Sequence, residues 1–150
     1  MRYFLWSAII FLTFIMQGSV APFDVTPNLT AVLACYVGIR KGEVRGILFG
    51  SLIGILEDSL SGALLGPNFL SKGLIGYLSY FISSRIFIWT PLLGIISISA
   101  LTLIDSSVVF ISRSMFDKMP VGIGAAFFTI AIQSLLNAPL GIFIRPKDAD

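Results

Sequence analysis

Apolar residues come in six runs along the chain, over positions 3–20, 28–39, 44–65, 70–88, 92–112 and 121–144. Short polar or proline-bearing breaks separate them: Pro22, Asp24 and Pro27; the charged stretch Arg40, Lys41, Glu43 and Arg45; Gly66-Pro67-Asn68, which reads as a turn; and Thr90-Pro91. Runs of this length and apolarity predict helices that cross a bilayer, whose hydrocarbon core is about 30 Å thick and takes about 20 helical residues. The second run is the exception. Twelve residues cover only about 18 Å, so it must be extended by its flanks or fail to cross. The expected fold is all-α: a polytopic membrane helix bundle of about six transmembrane helices, some short, making one integral membrane domain over residues 1–150.

The third run carries the strongest internal pattern. Glycines recur at Gly38, Gly42, Gly46, Gly50 and Gly54, and two adjacent carboxylates, Glu57 and Asp58, follow. On a helical wheel Gly46, Gly50, Gly54, Glu57, Ser61 and Asp58 fall within about 120° of arc, opposite Leu48, Leu52, Ile55, Leu56 and Leu60. In lipid, such a small face lets another helix backbone come close. It serves either tight packing within the chain or a partner helix, and Gly46, Gly50 and Gly54 are the expected dock for the latter. An ionised acid at the bilayer centre costs about 2.5–3.5 kcal/mol on insertion scales, so Glu57 and Asp58 are expected to be a buried or cavity-lining pair, with a position at headgroup level as the alternative.

Each later run has its own polar or small stripe. The fourth holds Lys72, Gly76, Ser79 and Ser83; the fifth has Asp105 near its centre, flanked by Ser99, Thr102, Ser106 and Ser112. The sixth places Thr129, Gln133, Asn137 and Gly141 four apart, and Pro139 predicts a kink. Asn68, Lys72, Asp105, Gln133 and Asn137 join Glu57 and Asp58 as candidate buried polar or interaction residues. The first run, preceded by Arg2, resembles a signal peptide in the small residues Ser19-Val20-Ala21. Pro22 would follow the cleaved bond and fits poorly in a protease cleft, which favours an uncleaved helix.

Composition narrows the chemistry. Of the 150 residues 56% are hydrophobic and 12% charged, against about 25% charged in ordinary soluble domains. There is no histidine and a single cysteine, Cys35, so the commonest general base, the usual imidazole metal ligand and any intrachain disulfide are missing. Leu56-Glu57-Asp58 and Leu103-Ile104-Asp105 do not match the Tyr-Asp and Gly-x-Gly-Asp contexts of intramembrane aspartyl proteases, and no phosphate-binding loop occurs. The chain is expected not to be an enzyme, to hold no cofactor or metal, and to lack a basic tract for nucleic acid.

Orientation follows from the basic residues. With the N-terminus inside and six crossings, Arg2, Arg40, Lys41, Arg45, Arg85, Arg145 and Lys147 lie inside, and Lys72, Arg113 and Lys118 outside. Both termini are therefore expected in the cytoplasm.

With these features in order, the chain resembles the MreD family of bacterial rod shape-determining membrane proteins over most of its length. The resemblance is carried by Pro27 before the second run, the basic turn, the glycine ladder, the stretch Asp58, Ser61, Gly62, Gly66, then Asn68 and Gly76-Tyr77. Where family members often have an acid after that proline, this chain has Asn28. The resemblance implies a multi-pass, non-catalytic inner-membrane scaffold of the cell-elongation machinery. Its expected partner is MreC, through which it would connect to MreB and the peptidoglycan synthases; self-association is left open. It also implies a fold similar to the membrane S-components of vitamin transporters. An alternative function is accordingly a substrate-binding transporter subunit, with a pocket built from Asp58, Asn68, Lys72, Asp105, Gln133 and Asn137.

Overall fold

A computed structural model describes residues 2–19, 24–62, 65–85, 89–116 and 122–146. Helices α1 (Arg2–Ser19), α2 (Leu29–Lys41), α3 (Glu43–Ser61), α4 (Pro67–Arg85), α5 (Pro91–Phe116) and α6 (Ile123–Asn137) follow in order, and a 3-10 helix, Ala138–Phe143, continues α6. No strand occurs among the described residues. Among the described residues two stretches, Pro91–Phe116 and Ile123–Phe143, are long and apolar enough to cross a membrane by themselves. Val20, Ala21 and the break expected at Pro22 lie outside the described residues, as do Lys118 and Lys147.

Boundaries differ from the sequence expectations where a polar group intervenes. The charged stretch between the second and third runs is not a loop. Both helices continue through it and only Gly42 separates them, at φ 94°, a backbone conformation that favours glycine. The third helix stops at Ser61, not near 65, because Gly62 turns left-handed at φ 61°. The turn expected at Gly66-Pro67-Asn68 is correct only for Gly66. Pro67 already opens α4, its fixed φ and missing N–H suiting a helix's first position. At Ala138 the α-helix tightens into a 3-10 helix that contains Pro139, the expected place of distortion.

The glycine ladder governs how the helices meet. A Cβ built on Gly46 would lie against the carbonyl of Gly76, one on Gly50 against that of Lys72, and one on Gly54 against that of Asn68. As numbers rise along α3 they fall along α4, so the two helices run antiparallel with their backbones in contact over three turns. Gly38 of α2 meets the same Gly76 carbonyl and the Ser79 hydroxyl, which makes Gly76 the junction of α2, α3 and α4. The small face therefore packs within the chain. A dock for a partner helix at Gly46, Gly50 and Gly54 is corrected, because α4 already occupies that face and leaves these glycines buried. The same device closes α5 on the 3-10 helix, where Gly94 and Gly141 each lie on the other's carbonyl.

Inside and outside are inverted relative to a water-soluble domain. Val44, Leu48, Leu52, Ile55, Leu56 and Leu60 of α3 are exposed, while the bulkiest fully buried side chain is Lys72. An apolar cluster of Ala34, Cys35, Ile39, Ile75, Ile98, Leu101 and Ile144 fills one end of the bundle. The other end is filled with polar groups.

Because no room exists at the ladder, we expect Gly50→Ala to cost about 1–3 kcal/mol through overpacking, read as a lower unfolding midpoint of the detergent-solubilised chain. Gly18→Ala, where nothing lies within 4 Å, should leave the midpoint within about 1 kcal/mol of wild type.

Candidate functional site

Glu57 and Asp58 are adjacent on α3, so their side chains point about 100° apart and find different partners. The carboxylate of Asp58 is fully buried. It accepts the backbone N–H groups of Gly66 (2.9 Å), Asn68 (3.2 Å) and Phe69 (3.1 Å) and the side-chain amide of Asn68 (2.8 Å). These are donors at the start of α4 that no intrahelical carbonyl can reach, and the positive end of the helix dipole favours an anion there. Asp58 thus caps α4 from the preceding helix and closes the α3–α4 hairpin.

At the start of α4, Asn68 turns its carbonyl oxygen to the ammonium of Lys72, one turn further on, at 2.9 Å. Lys72 also reaches Glu57 at 3.0 Å and Asp105 of α5 at 3.3 Å, and neither Lys72 nor Asp105 has any exposed side-chain surface. One ammonium faces two carboxylates, and neutral donors add to the shell of each acid. Asp105 accepts the Ser71 hydroxyl and the Asn28 side-chain amide. Glu57 accepts Thr30 Oγ1 at 2.6 Å and Gln17 Nε2 at 3.2 Å.

Asn28 shows why an amide suits this position. Its Oδ1 accepts from Ala31 N at 3.2 Å, capping α2, while its Nδ2 donates to Asp105. A carboxylate could do the first and not the second, and would add a third acid beside one ammonium. The Asn28 backbone carbonyl then accepts Asn137 Nδ2 at 2.8 Å, and the same Nδ2 lies 3.2 Å from Thr102 Oγ1. Residues of α1 to α6 are thereby tied to one centre.

Of the sequence candidates, Glu57, Asp58, Asn68, Lys72 and Asp105 come together directly, and Asn137 joins through Asn28. Gln133 lies apart, accepting from Ser106 at 2.8 Å and donating to the Thr26 carbonyl at 3.0 Å. Asp58 is buried and Glu57 lines a cavity, but the two have different partners: Glu57 is an ion-pair partner, Asp58 a helix cap. Sequence reasoning passed over Gln17, Thr30 and Ser71, and noted Asn28 only as the place of an acid in the family. Asn28 carried a signal as an amide immediately before an apolar helix, whereas nothing marked Gln17 or Ser71 among ordinary polar residues.

A cavity of about 410 Å³, open on one side, lies next to the cluster with Asn28, Glu57 and Asn68 on its wall. Of the six residues expected to build a pocket, Asn68 and Gln133 line this cavity, whereas Asp58, Lys72, Asp105 and Asn137 do not. Ser71 is fully buried and has no path to a substrate. Among the described residues no group of three or more Asp, Glu or Cys is placed to ligate a metal; between Glu57 and Asp105 the cation is the lysine itself. The arrangement can hold helices in place; it presents no accessible nucleophile paired with a base.

Lys72→Met should strand two carboxylates and cost about 3–5 kcal/mol. The triple change Lys72→Met, Glu57→Gln, Asp105→Asn should recover at least half of that loss. Both are read from unfolding midpoints in detergent, and a triple variant no better than the single one would contradict the charge balance described.

The family model for the rod shape-determining protein MreD matches residues 1–146. Comparison with curated proteins and with solved structures returned no match. Members of the matched family are integral inner-membrane proteins that act in the determination of rod shape. The match spans all six helices and the whole polar centre, and the chain belongs to the MreD family.

Proposed function

We propose that this chain is a non-enzymatic, multi-pass scaffold of the bacterial rod-shape machinery that binds MreC and, through it, links MreB to the peptidoglycan synthases. The observation that carries this reading is the inward-turned ionic centre. Lys72, Asp58 and Asp105 spend their charges on other residues of the chain and face no cavity. Such groups fix helix positions and leave no reacting atom for a substrate. A rigid body suits a protein whose work is to hold others in register.

The inverted surface supports embedding of all six helices. Large apolar side chains face outward on α1, α3, α4, α5 and α6, with α2 enclosed among them, while Lys72, Asp58 and Asp105 face inward, the arrangement that lipid favours. The antiparallel packing supports the orientation as well. Arg40 and Lys41 at the end of α2, Arg45 at the start of α3, Arg85 at the end of α4 and Arg145 after the 3-10 helix gather at one end. Arg113 lies near the end of α5 that points the other way. The first end is cytoplasmic under the positive-inside rule, which puts both termini in the cytoplasm and the polar centre in the outer half of the bilayer.

Two measurements test this reading. A C-terminal alkaline phosphatase fusion should be silent, and an active one would contradict six crossings. Tagged full-length protein extracted in mild detergent should bring MreC with it. A chain that purifies alone and moves a solute into vesicles would overturn the scaffold in favour of a transporter subunit.

A further inference from the structure

The cavity beside the polar centre has a shape set by α5 and α6. Their line of contact is tight at one end, where Gly94 and Gly141 place backbone on backbone. Midway the two helices are joined by the hydroxyls of Ser99 and Ser134, 2.6 Å apart. Beyond that bridge they enclose the cavity of about 410 Å³. Its wall from α5 carries Val109, Phe110 and Arg113, and its wall from α6 carries Ile130 and Gln133. The spacing puts each set on one stripe of its helix, so the cavity has an apolar flank and a polar base at Glu57.

Arg113 is the unexplained group. Its Nε has no exposed surface and no hydrogen-bond acceptor among the described residues. A guanidinium presents a planar fork of donors whose geometry matches phosphate oxygens. Glu57 complements it from the base. A carboxylate has about four acceptor positions, and Gln17, Thr30 and Lys72 leave one open toward the cavity. The volume suits a headgroup and not two acyl chains, so a bilayer lipid could enter only head-first, with its chains remaining outside.

We propose that this cavity binds the headgroup of a phosphate-bearing amphiphile. Its phosphate sits on Arg113, its hydroxyl or ammonium donors face Glu57, and its chains leave along Val109, Phe110 and Ile130. This goes beyond the scaffold reading, since a scaffold needs no ligand, and it relies on the chain being embedded in lipid. A soluble phosphate ester would satisfy Arg113 equally well but would leave the apolar flank uncovered.

Native mass spectrometry of the full-length detergent-solubilised protein, titrated with dioleoyl phosphatidylethanolamine, tests the proposal. One lipid should bind per chain. Arg113→Gln should weaken binding about tenfold, the scale expected for losing a charge-assisted contact. Ile130→Trp, which fills the cavity without touching the charges, should weaken it as well. Leu135→Trp, on an exposed face of α6, should not. Dioleoylglycerol, which lacks the phosphate, and glycerol 3-phosphate, which lacks the chains, should each fail to compete. Wild-type affinity in both Arg113→Gln and Ile130→Trp would overturn the proposal. So would competition by glycerol 3-phosphate as strong as that of the lipid, which would make the ligand a soluble ester.

Discussion

A lysine with no exposed surface is the constraint on which the bundle depends. Moving one ammonium out of water costs several kcal/mol even after local relaxation, and only close, well-oriented acceptors offset it. Here they come from three directions: Asn68 on the same helix, Glu57 on α3 and Asp105 on α5. Each acid brings further helices through its own donors, Gln17 and Thr30 at Glu57, Ser71 and Asn28 at Asp105. Hydrophobic burial cannot order helices surrounded by hydrocarbon, because lipid tails are as apolar as leucine. A directional ionic centre and close backbone contact supply the specificity that water would otherwise impose.

These two devices depend on each other. The glycines of α3 bring the backbone of α4 close enough for Lys72 to meet Glu57, since Gly50 rests on the Lys72 carbonyl and Gly54 on that of Asn68. The ion pairs then hold that register against sliding by a turn. At the opposite end the contact between Gly94 and Gly141 fixes α5 against the end of the chain, and Trp89 Nε1 donates to the Ile144 carbonyl at 2.9 Å nearby. The bundle is thus pinned at two ends by different means, small residues at one and charges at the other.

Much of this was legible before any coordinates. The six apolar runs became six helices, the shortness of the second persisted, and the inward demand on Glu57, Asp58, Lys72 and Asp105 follows from the cost of charge in lipid alone. What could not be read was pairing. A four-residue glycine spacing says that some backbone comes close, and says nothing about whether it belongs to the same chain; α4 proved to be the neighbour. Likewise Glu57 and Asp58 look equivalent in sequence, and only the position of the next helix separates an ion-pair partner from a cap. Gln17 and Ser71 were invisible because a single amide or hydroxyl in an apolar run has no pattern of its own.

The cap across the hairpin bears on how such a protein is made. Asp58 belongs to α3, but the donors that compensate it belong to the first turn of α4. During synthesis α3 emerges first, with a carboxylate that has nothing to bind until the residues from Gly66 to Phe69 arrive. In the multi-pass arrangement proposed above, α3 leaving the translocon alone would carry that bare acid into the bilayer. The α3–α4 pair is therefore the smallest piece that can partition into lipid with this acid matched, which favours delivery of the two helices to the membrane as one unit.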